Sequence, residues 1–387
     1  MDIKISDRLK KLPPYLFVEI DRLKRQAKGA GKDIIDLGVG DPDQPPPKFI
    51  INALCSALKE ANIHKYALDL GQPELRQAIA DWYRKRFNVR LNPDTEILPL
   101  IGSKEGIAHI PLALINPRDV ALVPDPCYPP YKSGVIFAGG KLHLMPLLEE
   151  NAFLPDLSAI KKGVARSAKL LFINYPNNPT SAVAGLKFFG EISRFAAKNN
   201  IIVCHDAAYS EITFDGYKQP SFLQAKGARG VGIEFHSLSK TFNMTGWRIG
   251  FACGNARVIS ALAKVKSNID SGIFNAIQKA GITALKHKSD HLVKTNKLYQ
   301  ERRDVLVDGL NSIGLEVKKP RATFYVWIKV PHGHDSMTLS QKLLRNAGIV
   351  VTPGNGFGKS GEGFIRIALT VSKERIKEAV DRIKKVL

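Results

Sequence analysis

Short apolar runs alternate with amphipathic stretches along the middle of the chain, from about residue 58 to residue 266. Several runs are apolar nearly throughout, which is typical of strands that helices cover on both faces. The predicted strands are Glu96 to Ile101, Val120 to Val123, Leu170 to Ile173, Ile201 to His205, Gly232 to Phe235 and Arg248 to Ala252. Helical periodicity is seen at Lys104 to Ile115, Leu186 to Lys198 and Arg257 to Lys266. This alternation predicts an α/β fold with a mostly parallel sheet.

The pattern changes after a long polar helical region at Ser289 to Leu310. Beyond it, strands are predicted at Glu316 to Lys318, Phe324 to Val330 and Phe364 to Leu369, and helices at Leu339 to Ala347 and from Lys373. We therefore expect a large domain at residues 46–288 and a smaller α+β domain at residues 289–387. Three prolines at 45–47 predict the entry to a helix from Lys48 to Leu58. Residues 1–45 are too few to fold alone, and we expect them to form an arm that packs with the C-terminal lobe and completes the small domain.

Composition narrows the class of protein. A hydrophobic fraction of 44% among 387 residues is ample for a core. No stretch approaches the roughly 20 apolar residues that a membrane span needs, and the first twelve residues lack the apolar centre of a signal peptide. These features predict a cytoplasmic protein without membrane contact. The four cysteines are far apart and form no CxxC pair, so the sequence indicates neither a zinc site nor disulfides, and we expect no metal.

The formal net charge of +21 needs an interpretation, because basic proteins often bind nucleic acids. The lysines are scattered along the chain, with only short clusters such as Lys161 with Lys162. The pattern favours a solvated basic surface that attracts small anionic substrates over a nucleic-acid groove.

The strongest local motif runs from Ser237 to Phe242 and reads SLSKTF; it is followed by GWRIG, which contains Arg248. Lys240 follows two hydroxyl residues at the end of an apolar strand. A lysine in this setting suits an imine with an aldehyde cofactor, while Ser237, Ser239 and Arg248 hold a phosphate. By itself, the same motif also fits an exposed lysine in a turn, so the hypothesis depends on further residues.

Two other strand ends supply those residues. Asp206 follows the strand that ends at His205, and open α/β sheets bind ligands beyond the carboxyl ends of their strands. A carboxylate there suits a protonated pyridine nitrogen, and Tyr209 is placed to donate to a phenolic oxygen on the same ring. Asn178, in NYPNNPT, is a further donor for that oxygen. The alternatives are an aspartate that caps a turn and a purely structural Asn-Pro loop.

The segment GSKEG at 102–106 leads directly into a predicted helix. Free amides at Ser103 and Lys104, with the helix dipole, predict a phosphate site, although a serine cap alone would explain the same residues. Tyr128 follows another strand, and its ring is placed to stack on a pyridine face, unless it only packs in a turn.

Taken together, these segments resemble the class I and II aminotransferases of fold type I, and the resemblance runs through essentially the whole chain. The matching segments are residues 38–42, Tyr66 with Gly71, residues 102–106, residues 178–180, Asp206 with Tyr209, residues 237–240, Arg248 and residues 353–366. The resemblance implies a pyridoxal 5'-phosphate enzyme whose large domain has a seven-stranded, mostly parallel sheet between helices. Relatives usually read Asn-Pro-Thr-Gly where this chain has Ser181 after Thr180; we expect a slightly altered turn and an intact site.

The resemblance also implies roles for residues that the pattern alone does not single out. Arg366 would bind the substrate α-carboxylate with both arms of its guanidinium, although on sequence alone it could be a solvent-facing strand residue. Tyr66 would reach the phosphate of a neighbouring subunit, so the active unit would be a homodimer with shared sites. Asn275 is expected to be contributed in the same way.

Within the family, the N-terminal segments at 12–17, 20–23 and 37–43 are similar to LL-diaminopimelate aminotransferases. That resemblance implies that Tyr15, Gly40 and Asn275, with Asn178 and Arg366, bind a substrate with two amino-acid ends. Aspartate, alanine or an aromatic amino acid as donor remains the alternative. A lyase, decarboxylase or synthase on the same fold is a second alternative, and a non-catalytic binding protein a third.

Overall fold

The computed structural model describes residues 3–12, 21–22, 24–26, 29 and 31–387. The strands in this part of the chain are β1 (Ile35–Asp36), β2 (Ile97–Leu100), β3 (Val120–Asp125), β4 (Lys141–Pro146), β5 (Ala168–Asn174), β6 (Ile202–Asp206), β7 (Gly232–Ser237), β8 (Gly250–Gly254), β9 (Tyr325–Lys329), β10 (Ile349–Val350), β11 (Thr352–Pro353) and β12 (Phe364–Ala368). Seven of them, β2 to β8, form one sheet in the order β2-β8-β7-β6-β5-β3-β4.

The α-helices are α1 (Asp7–Lys10), α2 (Lys48–Ala57), α3 (Pro73–Phe87), α4 (Ser103–Leu114), α5 (Pro130–Phe137), α6 (Lys162–Ser167), α7 (Leu186–Asn199), α8 (Ala228–Val231), α9 (Leu238–Thr241), α10 (Ala256–Ser267), α11 (Asn275–Lys286), α12 (His291–Ser312), α13 (Ser336–Lys342) and α14 (Lys373–Lys384). A π-helical turn at Leu343–Ala347 continues α13. The predicted α/β architecture is therefore confirmed, with most helix boundaries within two residues of those expected from periodicity.

The central sheet is mostly parallel, as expected. Strands β3 to β7 run parallel to one another, whereas β8 is antiparallel to both β7 and β2. Apolar side chains fill both faces, with Leu171, Val203 and Phe251 in one core cluster and Phe172, Cys204 and Ile233 in another. Burial on both faces explains why these strands could be recognised as continuous apolar runs.

Three details of the predicted pattern are wrong. Strand β4 was not anticipated, because it lies at the sheet edge and its residues from Lys141 are largely exposed and alternate in polarity. The segment at Glu316 to Lys318 forms no strand. Arg248 does not belong to β8, because its φ of 54° places it in the left-handed region just before the strand.

The C-terminal part of the chain builds a second layer. Strands β11, β12 and β9 form an antiparallel sheet, and α12 and α14 contribute to the apolar cluster on which it packs. Strand β1 pairs in parallel with β10, with Ile35 opposite Ile349, so this part of the N-terminal segment packs against the C-terminal lobe. No helix in the described residues is both long enough and apolar enough to cross a membrane.

Candidate active site

A cavity of about 370 Å³ lies at the carboxyl ends of β5, β6 and β7, where they meet the N-terminus of α4 and the C-terminal lobe. Among the predicted site residues that the structure describes, all line it except Tyr66 and Asn275. Its lining consists of Val39, Gly40, Ser103, Lys104, Tyr128, Asn174, Asn178, Asp206, Ala208, Tyr209, Ser237, Ser239, Lys240, Thr245, Arg248, Tyr325, Phe357 and Arg366. Residues from seven predicted segments that are far apart in sequence therefore share one pocket.

Lys240 lies in α9, which follows directly from β7. The helix begins where the Ser237 hydroxyl accepts a hydrogen bond from the Ser239 amide at 3.2 Å, an ordinary N-terminal cap. The Lys240 Nζ donates to the carbonyl oxygen of Gly40 at 2.8 Å. Burial lowers the pKa of the Lys240 ammonium to about 8, and the nearby positive charges of Arg366 and Arg248 act in the same direction, against Asp41. A substantial fraction of this amine is therefore neutral and nucleophilic near physiological pH.

Asp206 is the last residue of β6, and its carboxylate is buried. One carboxylate oxygen accepts from the Tyr131 hydroxyl at 2.8 Å and the other from the Ala208 amide at 3.2 Å. Burial raises the pKa of the Asp206 carboxyl, against the lowering effect of these hydrogen bonds. A cationic ring nitrogen beside it would favour the ionised carboxylate, so the site suits a positively charged partner.

A cluster of phosphate-type donors surrounds the start of α4. Gly102 precedes the helix with φ of 75°, and a Cβ there would lie 2.4 Å from Nη2 of Arg248, so only glycine lets the guanidinium approach this turn. The Arg248 guanidinium is held by a 2.9 Å bond to the Thr245 carbonyl. The hydroxyl of Ser239 is buried in the same pocket and has no hydrogen-bond partner among the described residues. Helix amides, a guanidinium and an unused hydroxyl together suit an anion.

Arg366 is only 2% exposed, so the alternative of a solvent-facing strand residue is wrong. Its guanidinium donates to Asn178 Oδ1 at 2.7 Å and to the Gly38 carbonyl at 2.8 Å. The ring centroids of Tyr325 and Phe357 lie 4.1 Å and 4.6 Å from its Cζ. A buried arginine that is fixed in this way is well suited to a carboxylate.

Tyr209 and Tyr128 also reach the pocket. The Tyr209 hydroxyl lies 3.1 Å from that of Tyr325, and burial raises the Tyr209 pKa well above its ordinary value, so this phenol stays protonated and can donate. The ring of Tyr128 contacts Tyr131 edge to face at 5.8 Å between centroids. Tyr131 in turn donates to Asp206, so Tyr128 and Tyr131 form an aromatic pair beside that carboxylate.

The remaining predicted residues lie elsewhere. Tyr66 is 93% exposed, outside the pocket of its own chain. Asn275 begins α11 and donates to the Lys65 carbonyl at 3.1 Å, which ties it to the loop that carries Tyr66. Tyr15 lies outside the described residues.

Several lining or neighbouring residues were not anticipated, and three of them have polar side chains that contact predicted site residues. Asn174 ends β5, donates to the Asp206 carbonyl at 2.7 Å and accepts from the Asn178 backbone amide at 2.7 Å. Tyr131 and Tyr325 were missed because each lies near the beginning of its helix or strand, and not at the carboxyl end of a strand, where site residues were expected. A polar residue at the end of an apolar strand was a usable signal for Asn174; for the two tyrosines, the contacts arise only in the folded chain.

Glu105, His109 and Asp270 bring three possible metal ligands together beside the α4 N-terminus. The buried Lys266 Nζ donates to Glu105 at 3.0 Å and also to Asp270, and it donates to the Ser271 carbonyl at 3.1 Å. Its ammonium supplies the positive charge for both carboxylates. This cluster therefore links α10 and the following loop to the start of α4, and the expectation of no metal stays a prediction.

The comparisons with known proteins bear directly on this pocket. A sequence profile of the family described as aminotransferase class I and II matches residues 32–383. The chain belongs to the class I and II aminotransferases. LL-diaminopimelate aminotransferases of Moorella thermoacetica and Halothermothrix orenii are each 56% identical to this aminotransferase, over 98% of its chain and 97% of theirs. The substrate-bound structure of BacF from Bacillus subtilis superposes with a TM-score of 0.95 at 40% identity, over 100% of this chain and 98% of that one.

Enzymes of this family use pyridoxal phosphate, and the pocket of this aminotransferase fits that group. The anion-binding cluster at Ser239 and Arg248 matches its phosphate, and the buried Asp206 matches a protonated ring nitrogen. Lys240 supplies an amine for its aldehyde, and Lys240, Asp206 and the phosphate cluster all line one cavity. The pocket therefore offers a partner for the phosphate, for the ring nitrogen and for the aldehyde of the cofactor.

Proposed function

We propose that this aminotransferase exchanges amino groups between LL-diaminopimelate and 2-oxoglutarate. In the biosynthetic direction, it would make LL-diaminopimelate from tetrahydrodipicolinate and glutamate, a step toward lysine. The observation that carries the proposal is the 56% identity to an LL-diaminopimelate aminotransferase over 98% of the chain. The deeply buried Arg366 supports it, because every substrate in this exchange carries a carboxylate beside the reacting carbon.

In the proposed mechanism, Lys240 has two tasks. Its neutral amine would hold the cofactor by its aldehyde, and its Nζ would also be the base that moves the proton at the substrate Cα. When bound, pyridoxal phosphate supplies the electron sink that stabilises negative charge at that carbon. The 2.8 Å bond to the Gly40 carbonyl orients the free amine within the pocket.

The other polar residues hold and polarise the cofactor. The Asp206 carboxylate keeps the ring nitrogen protonated, and Tyr131 and Ala208 orient that carboxylate. Tyr209 and Asn178 donate to the phenolic oxygen. The phosphate would be bound by the amides of Ser103 and Lys104, the hydroxyls of Ser237 and Ser239 and the Arg248 guanidinium. The ring of Tyr128 would cover one face of the cofactor's pyridine ring.

Arg366 and Asn178 bind the reacting end of the substrate in this proposal. The Arg366 guanidinium takes the α-carboxylate, and Asn178, already bonded to Arg366, fixes its orientation. The far ammonium and carboxylate of diaminopimelate need their own partners. We assign these to Tyr15, Gly40 and Asn275, with Tyr128 at the edge of the pocket.

A donor screen tests the substrate. With 2-oxoglutarate as acceptor, LL-diaminopimelate is expected to exceed lysine, aspartate, alanine and phenylalanine by about 100-fold or more in kcat/KM, because donors that lack one or both distal groups leave buried polar groups unpaired. The meso isomer is also expected to react more slowly, because the opposite configuration at its distal carbon misplaces the same two groups. Preference for aspartate, alanine or phenylalanine would contradict LL-diaminopimelate as the substrate, but it would still agree with an aminotransferase. Release of pyruvate and ammonia from a donor with a β-leaving group, such as cysteine, without a keto-acid acceptor would instead favour a lyase.

We also propose that the active unit is a homodimer with shared sites. Tyr66, Leu68 and Leu70 are exposed on one loop, and Ile269 and Phe274 are exposed beside it. Contiguous exposed apolar residues of this kind are typical of an interaction surface. A second copy would cover them and place Tyr66 and Asn275 at the neighbouring pocket, where the Tyr66 hydroxyl reaches the phosphate.

Mixed dimers test this sharing. Tyr66→Phe and Lys240→Ala subunits are each expected to be weakly active or inactive alone, because each damages every site. A hybrid dimer has one pocket with both residues intact, so mixing is expected to restore roughly a quarter of wild-type activity if subunits pair at random. The controls are mixtures of each variant with itself. Proven hybrid dimers without recovery would contradict shared sites.

We also propose that the enzyme is cytoplasmic and that it has a basic surface. The net charge of +21 would attract dicarboxylate substrates, and we propose neither a nucleic-acid partner nor a membrane one. The boundaries at residues 45/46 and 288/289 stay a prediction. Limited proteolysis at these two positions would test them.

A further inference from the structure

Tyr325, the first residue of β9, connects two parts of the pocket that bind different chemical groups. Its ring lies against the Arg366 guanidinium at 4.1 Å, and its hydroxyl lies 3.1 Å from the Tyr209 hydroxyl. It also packs so closely on Gly40 that a Cβ there would lie 1.9 Å from the Tyr325 hydroxyl oxygen. The carbonyl of that glycine accepts the hydrogen bond from Lys240.

Two residues with unusual backbone conformations hold Tyr325 in place. Ser181 and Thr323 have φ of 61° and 68°, in the left-handed region that side chains disfavour, and a β-branched residue there is a genuine outlier. Both are buried. Such conformations persist where the surroundings enforce them, and they cluster at functional sites.

Hydrogen bonds from Ser181 and Thr323 hold the backbone of Tyr325. The Ser181 hydroxyl donates to the Tyr325 carbonyl at 2.7 Å, and the Thr323 hydroxyl donates to Ser181 Oγ at 2.9 Å. The Tyr325 amide donates to the Thr323 hydroxyl oxygen at 3.0 Å. Ser181, which stands where relatives usually have glycine, therefore ties the Asn178 loop to the start of β9.

We propose that Tyr325 is a positioning residue with two separable effects: its ring orients Arg366 for the substrate carboxylate, and its hydroxyl orients Tyr209 toward the cofactor. Ser181 and Thr323 fix its backbone. The proposal rests on the roles assigned above to Arg366 and Tyr209, and it is independent of which amino acid is the donor.

The two effects predict different results for two variants of the holoenzyme. Tyr325→Phe keeps the ring and removes the hydroxyl. The pH midpoint of the visible absorption band is expected to rise by about half to one unit, because Tyr209 loses a hydrogen-bond partner and stabilises the cofactor's phenolic oxygen less well. Binding of glutarate, an unreactive dicarboxylate, is expected to stay within about twofold of wild type, because the ring still faces Arg366.

Tyr325→Leu removes both groups. It is expected to shift the pH midpoint as Tyr325→Phe does and also to weaken glutarate binding by about tenfold, because the guanidinium loses the nearer of its two aromatic contacts. Rescue of glutarate affinity by phenylalanine distinguishes this contact from a general loss of folding. Equal weakening by both variants, or an unshifted midpoint in Tyr325→Phe, would overturn the proposal.

Tyr299→Phe is the matched control. Tyr299 is also buried, packs on Phe324 with ring centroids 5.3 Å apart, and has a hydroxyl without a hydrogen-bond partner in the described chain. Neither the pH midpoint nor glutarate affinity is expected to change. A change there as large as in Tyr325→Phe would show that any buried tyrosine of this lobe has the same effect, against the proposal.

Ser181→Gly tests whether the Ser181 hydroxyl holds Tyr325 in place. Glycine accepts the left-handed backbone without strain, and this relief offsets part of the stability lost with the two buried hydrogen bonds of the hydroxyl, so only a small change in melting temperature is expected. Glutarate affinity is nevertheless expected to fall about threefold, because the hydroxyl no longer holds the Tyr325 carbonyl. Unchanged affinity would remove Ser181 and Thr323 from the proposal. A wild-type holoenzyme without any visible band would instead count against the attachment at Lys240, which is a separate failure.

Discussion

Lys240→Ala is expected to remove the visible absorption band of the bound cofactor and to lower transamination by about four orders of magnitude or more. The variant loses the amine that attaches the cofactor and the base that moves the Cα proton, and a positioned acid or base alone contributes about 10²- to 10⁴-fold. Absorption spectra of the purified protein and steady-state rates measure the two losses. A variant with normal transamination would contradict the assignment of Lys240.

The phosphate cluster gives this experiment an internal control. Ser239, Arg248 and the start of α4 stay intact in Lys240→Ala, so the variant is expected to retain the cofactor without a covalent bond. Fluorescence titration with pyridoxal phosphate measures that affinity. Lys264→Ala, an exposed lysine on α10, is the matched control and is expected to keep the band and the rate.

The lowered pKa of Lys240 predicts how the rate of cofactor capture depends on pH. With a pKa of about 8, the neutral fraction of the amine rises with pH from about a tenth at pH 7 to about nine-tenths at pH 9 and then levels off. The rate at which the cofactor-free wild type captures pyridoxal phosphate is expected to follow this curve. An ordinary exposed lysine would show a continuing increase through pH 9 without a plateau.

The fold was predictable because its strands are buried on both faces. Segments such as β5 and β6 are apolar nearly throughout and lie between amphipathic helices, so length and periodicity were sufficient to identify them. The edge strand β4 is half exposed, and a pattern that depends on burial does not detect it. The short pairing of β1 with β10 joins segments over 300 residues apart, and no local signal records it.

The residues of the site also differ in how far sequence could predict them. Asp206 ends a strand, and Lys240 and Asn178 lie within a few residues after one. Because the carboxyl ends of parallel strands meet at one edge of the sheet, sequence could predict that these residues lie close together. Tyr325 begins β9, which pairs with the strand of Arg366, and its contacts with Tyr209 and Gly40 depend on how that small sheet packs against the rest of the pocket. Ser181 was expected to alter a turn slightly. It keeps the left-handed conformation that suits glycine and adds a hydrogen bond across the lobes.

Asp206→Asn is expected to lower kcat by about 10²- to 10⁴-fold while the cofactor stays bound. Removing one partner of a buried charge pair costs about 3–5 kcal/mol, and about 1.4 kcal/mol corresponds to a factor of ten in rate. The amide has nearly the shape of the carboxylate, so the phosphate contacts and the imine to Lys240 remain. Steady-state rates and the retained visible band separate loss of ring protonation from loss of cofactor.

Tyr131→Phe gives a graded comparison on the same carboxylate. It removes the 2.8 Å hydrogen bond to Asp206 but leaves the negative charge, so a loss of about tenfold or less is expected. The Ala208 amide still fixes the other oxygen. The order of activity should therefore be wild type, Tyr131→Phe, then Asp206→Asn, because orientation of the charge matters less than its presence. Near-normal turnover in Asp206→Asn would mean that another carboxylate pairs with the ring nitrogen, whatever the result for Tyr131→Phe.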